Sequence, residues 1–180
     1  MTDQLHRSLG HLSVAYAELE DRIKDLLAAL IQQDRRTIEI LTCRTSLLSL
    51  CDILNVLFPE KVADADLLEF FGELMPQVDW CRVERNKYIH SSWFTQEPSI
   101  PYIRSDPQVR NGNFRDRWEA MGSGDIRDTA ECVEETATGV FELIMHMQQK
   151  GLTDYLADTF TGWTLPEKLP RNFKPRDKPT

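Results

Sequence analysis

The spacing of apolar residues constrains this chain most. Leu5, Leu9, Leu12, Tyr16, Leu19, Ile23, Leu26 and Leu30 follow one another at alternating steps of four and three, which lines them up along one stripe of an α-helix. A first helix is therefore predicted from about Asp3 to Gln33, packing along its whole length. The acids Glu18, Glu20, Asp21 and Asp25 read as its solvated side. The same rhythm recurs in Ile40, Cys43, Leu47, Leu50, Leu54 and Leu57. Here it predicts a second helix that starts after Asp34, stops before Pro59 and is widened by Leu41, Leu48, Ile53 and Val56 into one of the most buried elements.

A third helix is expected from Asp66, with Glu69 completing a variant capping box. Pro76 interrupts it, since an interior proline costs about 3 kcal/mol, so a kink or a fresh start is expected there, with the motif helix running from about Pro76 to Trp93. The last seam, Ile126, Ala130, Val133, Ala137, Val140, Ile144 and Met147, begins at Ser123 to Asp125 and ends at Gly151. Its alanines allow close approach of a neighbouring helix. Between these helices, residues 95–122 carry Pro98, Pro101, Pro107 and Asn111-Gly112-Asn113. Asn-Gly between short alternating runs signals a hairpin. The fold class is thus all-α, a bundle of four to five helices with a small β-hairpin or meander inserted before the last long helix. One domain, residues 1–163, is expected, with 164–180 as a Pro-rich basic tail.

Charge limits the partners. The net charge of −8 argues against indiscriminate nucleic-acid binding, yet residues 82–117 hold seven Lys and Arg against four Asp and Glu, a basic island. Cys43, Cys51, Cys81 and Cys132 show neither CxxC nor scaffold spacing, and no stretch approaches the roughly 20 apolar residues that span a bilayer. A cytoplasmic protein with no membrane contact is expected. HExxH, a phosphate-binding loop, GxSxG and zinc spacing are missing, so neither a metal nor a cofactor is expected. His6 and His11 fall on the first helix, apart from other catalytic signals, and His146 between two methionines reads as packing.

The basic island contains Trp80 to Trp93. On an ideal helix Glu84, Lys87 and Ser91 share a strip that can face water, while Arg82, Asn86 and His90 stack on another side. Val78, Cys81, Arg85 and Tyr88 keep core spacing, which places a guanidinium where an apolar side chain belongs. It needs a carboxylate, carbonyls, a cleft or a bound phosphate. The step from Arg85 to His90 turns about 140° around the axis, so one helix cannot readily aim both at one atom. A second copy across a twofold axis can, and a homodimer is expected.

Arg85-Asn86-Lys87-Tyr88-Ile89-His90 resembles the R-x4-6-H motif of the HEPN superfamily, small helical bundles that include RNA-cleaving toxins and non-catalytic relatives. The likeness spans roughly residues 1–150 and rests on the place of the motif in the helix pattern as much as on its letters. It implies a metal-independent endoribonuclease of toxin or defence type, with Arg85, Asn86 and His90 at a dimer cleft. The chemistry of the residues agrees: arginine offers fixed charge and parallel donors to a phosphorane, and histidine moves a proton near neutrality. Arg82, Lys87, Arg104, Arg115 and Arg117, with Arg110 beside them, are the candidate RNA contacts, or ordinary solvated charges. An RNA substrate and an antitoxin or regulatory protein are the implied partners. The alternative is a non-catalytic dimeric interaction, scaffold or nucleotide-binding module.

Overall fold

A computed structural model describes residues 3–94, 102–110 and 113–155, with side chains for 3–94 and from 119 onward. These residues form α1 (Asp3–Ile31), α2 (Arg35–Thr42), α3 (Leu47–Lys61), α4 (Ala65–Ile89), β1 (Ser92–Phe94), β2 (Tyr102–Arg110), β3 (Asn113–Met121) and α5 (Ser123–Gln149). The chain is mostly helical. The segment 164–180, read above as a tail, and residues 95–101 lie outside the described residues.

Two seams form the centre of the core. All seven apolar seam residues of α5 are buried, as are Leu5, Leu12, Tyr16, Leu19, Ile23, Leu26 and Leu30 of α1. α5 runs in the same direction as α1: Ser8 Oγ donates to the Ser123 carbonyl, His11 meets Glu134 at 2.7 Å, and Arg22 lies over the Phe141 ring. α4 runs against α5, with Tyr88 beside Thr129 and Cys81 beside Thr136. Phe58 stacks on Phe71 with ring centroids 4.1 Å apart, joining α3 to α4. The small seam residues of α5 are therefore used within the chain. All four cysteines are free thiols.

Several expectations about the helices are corrected. The second helix is two, because Ser46 accepts from the Ser49 N–H as an N-cap and starts α3 afresh after α2 ends. Pro59 does not stop α3; it sits in the last turn on the exposed side, where the carbonyl it cannot bond reaches water. The face expected to be buried is open: Ile40 and Leu41 are each 66% exposed and Val56 59%, with Leu48 and Ile53 also exposed. Pro76 likewise causes no restart. α4 continues from Ala65, capped by Asp64 rather than Asp66, and both Pro76 and Gly72 one turn before it lie on the exposed side. The helix then ends at Ile89, so Trp93 belongs to β1.

The expected hairpin is present as β2 and β3, paired antiparallel from Tyr102↔Met121 to Arg110↔Asn113, which leaves Asn111 and Gly112 as its two connecting residues. β1 adds a third strand through Trp93↔Arg104. At the root of the sheet, Trp93 Nε1 donates to the Tyr88 carbonyl at 3.1 Å, tying β1 back onto α4.

Both long helices that meet in the core end in a left-handed residue. α5 uses Gly151 at φ 68°, with Leu152 N–H returning to the Met147 carbonyl. α1 uses Gln32 at φ 53°, with Gln33 N–H bonded to the Ala28 carbonyl. A Cβ in that conformation costs about 1–2 kcal/mol, partly offset by the greater chain entropy glycine loses on folding. Gln32→Gly is expected to stabilise the protein by about 0.5–1 kcal/mol, seen as a higher urea midpoint with unchanged slope.

His146 is buried on α5 and its Nε2 has no hydrogen-bond partner among the described residues. Burial holds its pKa below the ordinary histidine value, and Lys150 adds to the effect. The unfolded chain therefore takes up a proton that the folded chain resists. Stability is unaffected above about pH 6.5 and falls as the pH drops through that value toward the lower folded one. Chemical denaturation at a series of pH values should show His146→Leu losing less stability than wild type between about pH 7 and pH 5.

Candidate functional site

The motif residues occupy the last turns of α4, next to the root of the sheet, with Arg85 turned toward α1 and His90 toward solvent. Arg85 is half-buried, with its guanidinium carbon 5.1 Å above the centre of the Tyr16 ring of α1. Its NH1 donates to Asn86 Oδ1 at 3.0 Å, and its Nε is buried with no partner among the described residues. Among the described residues no carboxylate pairs with it. The ion-pair option left open by the sequence is thus not what holds Arg85; an aromatic face and an amide do. Tyr16 is buried, and its pKa is pushed up to about 12 by burial, with Glu20 adding to the shift while Arg85 and Arg82 oppose it.

The neighbouring cations differ. Arg82 is bound by Nε and NH2 to Asp79 Oδ1 at 2.9 and 2.7 Å. Lys87 lies 3.3 Å from Glu84, 3.9 Å from Glu119 of β3 and over the Tyr88 ring. Of the three cations in this part of α4, only Arg85 lacks a carboxylate among the described residues. A guanidinium so placed is a fixed positive charge whose hydrogen-bonding capacity is unfilled, the arrangement that suits a phosphate.

Asn86 does more than the sequence suggested. Its side chain holds the Arg85 guanidinium, and its carbonyl accepts the His90 N–H at 3.1 Å. His90 is the C-cap of α4, and its side chain is exposed. The strip that faces water also departs from expectation. Glu84, Lys87 and Ser91 are half-buried, while Asp79, Val83 and His90 are exposed. The reason is the sheet: Glu119 and Trp93 come down on the Lys87 side of α4, which an isolated helix would leave open.

Compared with family models, curated proteins and solved structures, the chain matches none. The site must therefore be read from its own groups. Among the described residues no cluster of three His, Cys, Asp or Glu is arranged to hold a metal ion, and no helix is long and apolar enough to cross a membrane.

Arg104, Arg115 and Arg117, with Arg110, lie on the hairpin. The register pairs Arg104 with Glu119, Asp106 with Arg117, Gln108 with Arg115 and Arg110 with Asn113. Facing residues of an antiparallel pair, and those two apart along a strand, share a side of the sheet. All four arginines consequently belong to one face.

Two residues that position other groups were not singled out from the sequence. Tyr16 is one, though it is the only seam residue of α1 with a polar tip. Asp25 is the other. Read as solvated, it is buried, accepting from Arg35 of α2 and, at 2.9 Å, from the Tyr155 hydroxyl.

Proposed function

We propose that this protein is a metal-independent endoribonuclease of the HEPN kind, acting as a homodimer on RNA, with Arg85, Asn86 and His90 at its centre. One observation carries the reading: Arg85 is held on Tyr16 with no carboxylate and no partner for its Nε among the described residues, on the same helix end as an exposed histidine. A phosphodiester bound there receives charge and donors from the guanidinium. His90 takes the proton from the ribose 2′-hydroxyl or gives one to the departing 5′-oxygen. The 2′-oxygen attacks phosphorus, the P–O5′ bond breaks, and a 2′,3′-cyclic phosphate and a 5′-hydroxyl result. Asn86 is a positioning residue for Arg85.

The dimer follows from direction. Arg85 lies inward over Tyr16 whereas His90 is exposed, so a second α4 against the Asp79, Val83 and His90 strip supplies the complementary group. An antitoxin or regulatory protein is the second partner implied by this reading. The alternative of a non-catalytic interaction module draws on the exposed Ile40, Leu41 and Val56 of α2 and α3, an apolar face suited to a protein partner. The deciding assay incubates the purified protein with diverse single-stranded RNAs in EDTA, with light scattering to give its mass. Cyclic-phosphate products from a dimer are expected. A well-formed dimer that cleaves none of them would leave the interaction module.

A further inference from the structure

We propose that the β2–β3 hairpin is an RNA-binding arm: its arginine face grips the phosphate backbone of the substrate and leads it to the end of α4. The inference rests on the ribonuclease reading for the identity of its ligand, and on the register for the site. Arg104, Arg110, Arg115 and Arg117 fall on one face of the hairpin, together with Asp106 and Glu119. The other face carries Ile103, Val109, Phe114 and Trp118, and Asp116 is its one charged residue. Charge is thus sorted by face even though the strands as a whole mix both signs.

Position within the sheet sharpens the assignment. Glu119 sits opposite Arg104 at the root, where it also approaches Lys87, and Asp106 sits opposite Arg117. Toward the connecting residues the pairs are Gln108 with Arg115 and Arg110 with Asn113. That half of the face has cations and amides with no acid in register. Arginine and amide side chains are the usual donors to phosphate and sugar oxygens.

The face is also continuous with the proposed site. Trp93 lies on it by its pairing with Arg104, and Trp93 Nε1 is bonded to the Tyr88 carbonyl of α4, two residues before His90. Phe94, on the opposite face, is 46% exposed. The arginine side is therefore the side that meets α4 at the root. A strand of RNA following the arginines from Arg110 toward Arg104 arrives at the Lys87 side of the last turns of α4, near the exposed His90. An acidic protein with one local concentration of arginines binds nucleic acid through that element, and with a marked dependence on salt.

The test measures binding alone, in full-length His90→Ala protein, so that no cleavage is needed. Fluorescein-labelled single-stranded RNA of mixed sequence is titrated at several salt concentrations. Changing Arg110, Arg115 and Arg117 together to alanine is expected to weaken binding on the order of 100-fold and to lower the slope of log affinity against log salt by about two, near 0.7 for each phosphate no longer neutralised. Asp116→Asn, on the opposite face, is expected to bind like the parent. Circular dichroism and melting accompany each variant. If the alanine protein is misfolded, the triple lysine variant decides: most of the affinity kept supports the arm, and loss in a folded protein overturns it. The proposal also fails if the folded alanine variant binds within about twofold of its parent, if Asp116→Asn weakens binding as much, or if poly-glutamate competes as well as RNA, which would mark an acidic protein as the ligand. Arm-dependent binding with no cleavage by wild type would sink the ribonuclease reading and leave the arm standing. Cleavage with arm-independent binding would do the reverse.

Discussion

His90→Ala is expected to slow RNA cleavage about 10²- to 10⁴-fold, the range spanned by removal of a positioned proton-transfer group. The fold should not notice. His90 ends α4 as an exposed C-cap whose contribution to the helix is its backbone N–H, bonded to the Asn86 carbonyl, and alanine keeps that bond. An exposed substitution of this kind changes stability by less than about 0.5 kcal/mol. A lost rate with an unchanged melting curve is thus assigned to chemistry. Arg85→Ala should behave differently, reducing RNA affinity and rate together and removing the guanidinium from the Tyr16 ring. Single-turnover cleavage in EDTA, read on a denaturing gel, separates these effects. If wild type and both variants cleave equally, the activity belongs to a contaminating nuclease. If only Arg85→Ala is impaired, His90 is not the proton-transfer group.

The second large effect concerns stability. Asp25→Ala is expected to cost about 1–3 kcal/mol, because it leaves the Tyr155 hydroxyl without its acceptor and takes from Arg35 its least exposed carboxylate. Asp25 Oδ1 accepts from both Arg35 and Tyr155, and its side chain is only 11% exposed. Arg35 in turn donates to the Asp21 carbonyl at 2.9 Å and to Glu39 at 3.0 Å, so one guanidinium ties the end of α1 to α2. Removing the Asp25 carboxylate takes away the least exposed of the three acids that hold Arg35 and leaves it Asp21 and Glu39. Asp25→Asn keeps an acceptor for the tyrosine and should lose less. Combined with Arg35→Met, Asp25→Ala should cost less than the two single changes added together. Urea unfolding followed by tryptophan fluorescence measures the wild type and the four variants. A loss under about 0.5 kcal/mol for Asp25→Ala would show that the network is surface decoration.

These two predictions stand on residues of opposite legibility. His90 and Arg85 were visible as a pair at fixed spacing inside a helical pattern. The meaning of Arg85 was not, since the same core position is filled equally well by an ion pair or an anion site. What holds it is Tyr16, which comes from a helix some seventy residues earlier in the chain. Asp25 gave no sign of burial, because its own helix places it beside charged residues. Arg35 makes it a core residue by folding back from the next helix.

Features that depend on neighbours in the chain could be read before any folding was known. The four-and-three seams of α1 and α5 became the buried centre almost residue for residue, with Leu9 of α1 half-buried beside it, and the alternating runs on either side of Asn111-Gly112 became the paired strands β2 and β3. Periodicity and turn chemistry are local, so they survive any packing. Where helices break and which face is dry came instead from the way the elements assemble. The break at Ser46 comes with its side chain capping α3, and the unbroken passage through Pro76 with that residue lying on the exposed side of α4. The side of α4 that faces solvent was settled by Glu119 and Trp93 descending onto Lys87 and Tyr88. That choice leaves His90 exposed and Arg85 lying over Tyr16, because a helix shows only the faces that the remote parts of its chain leave uncovered.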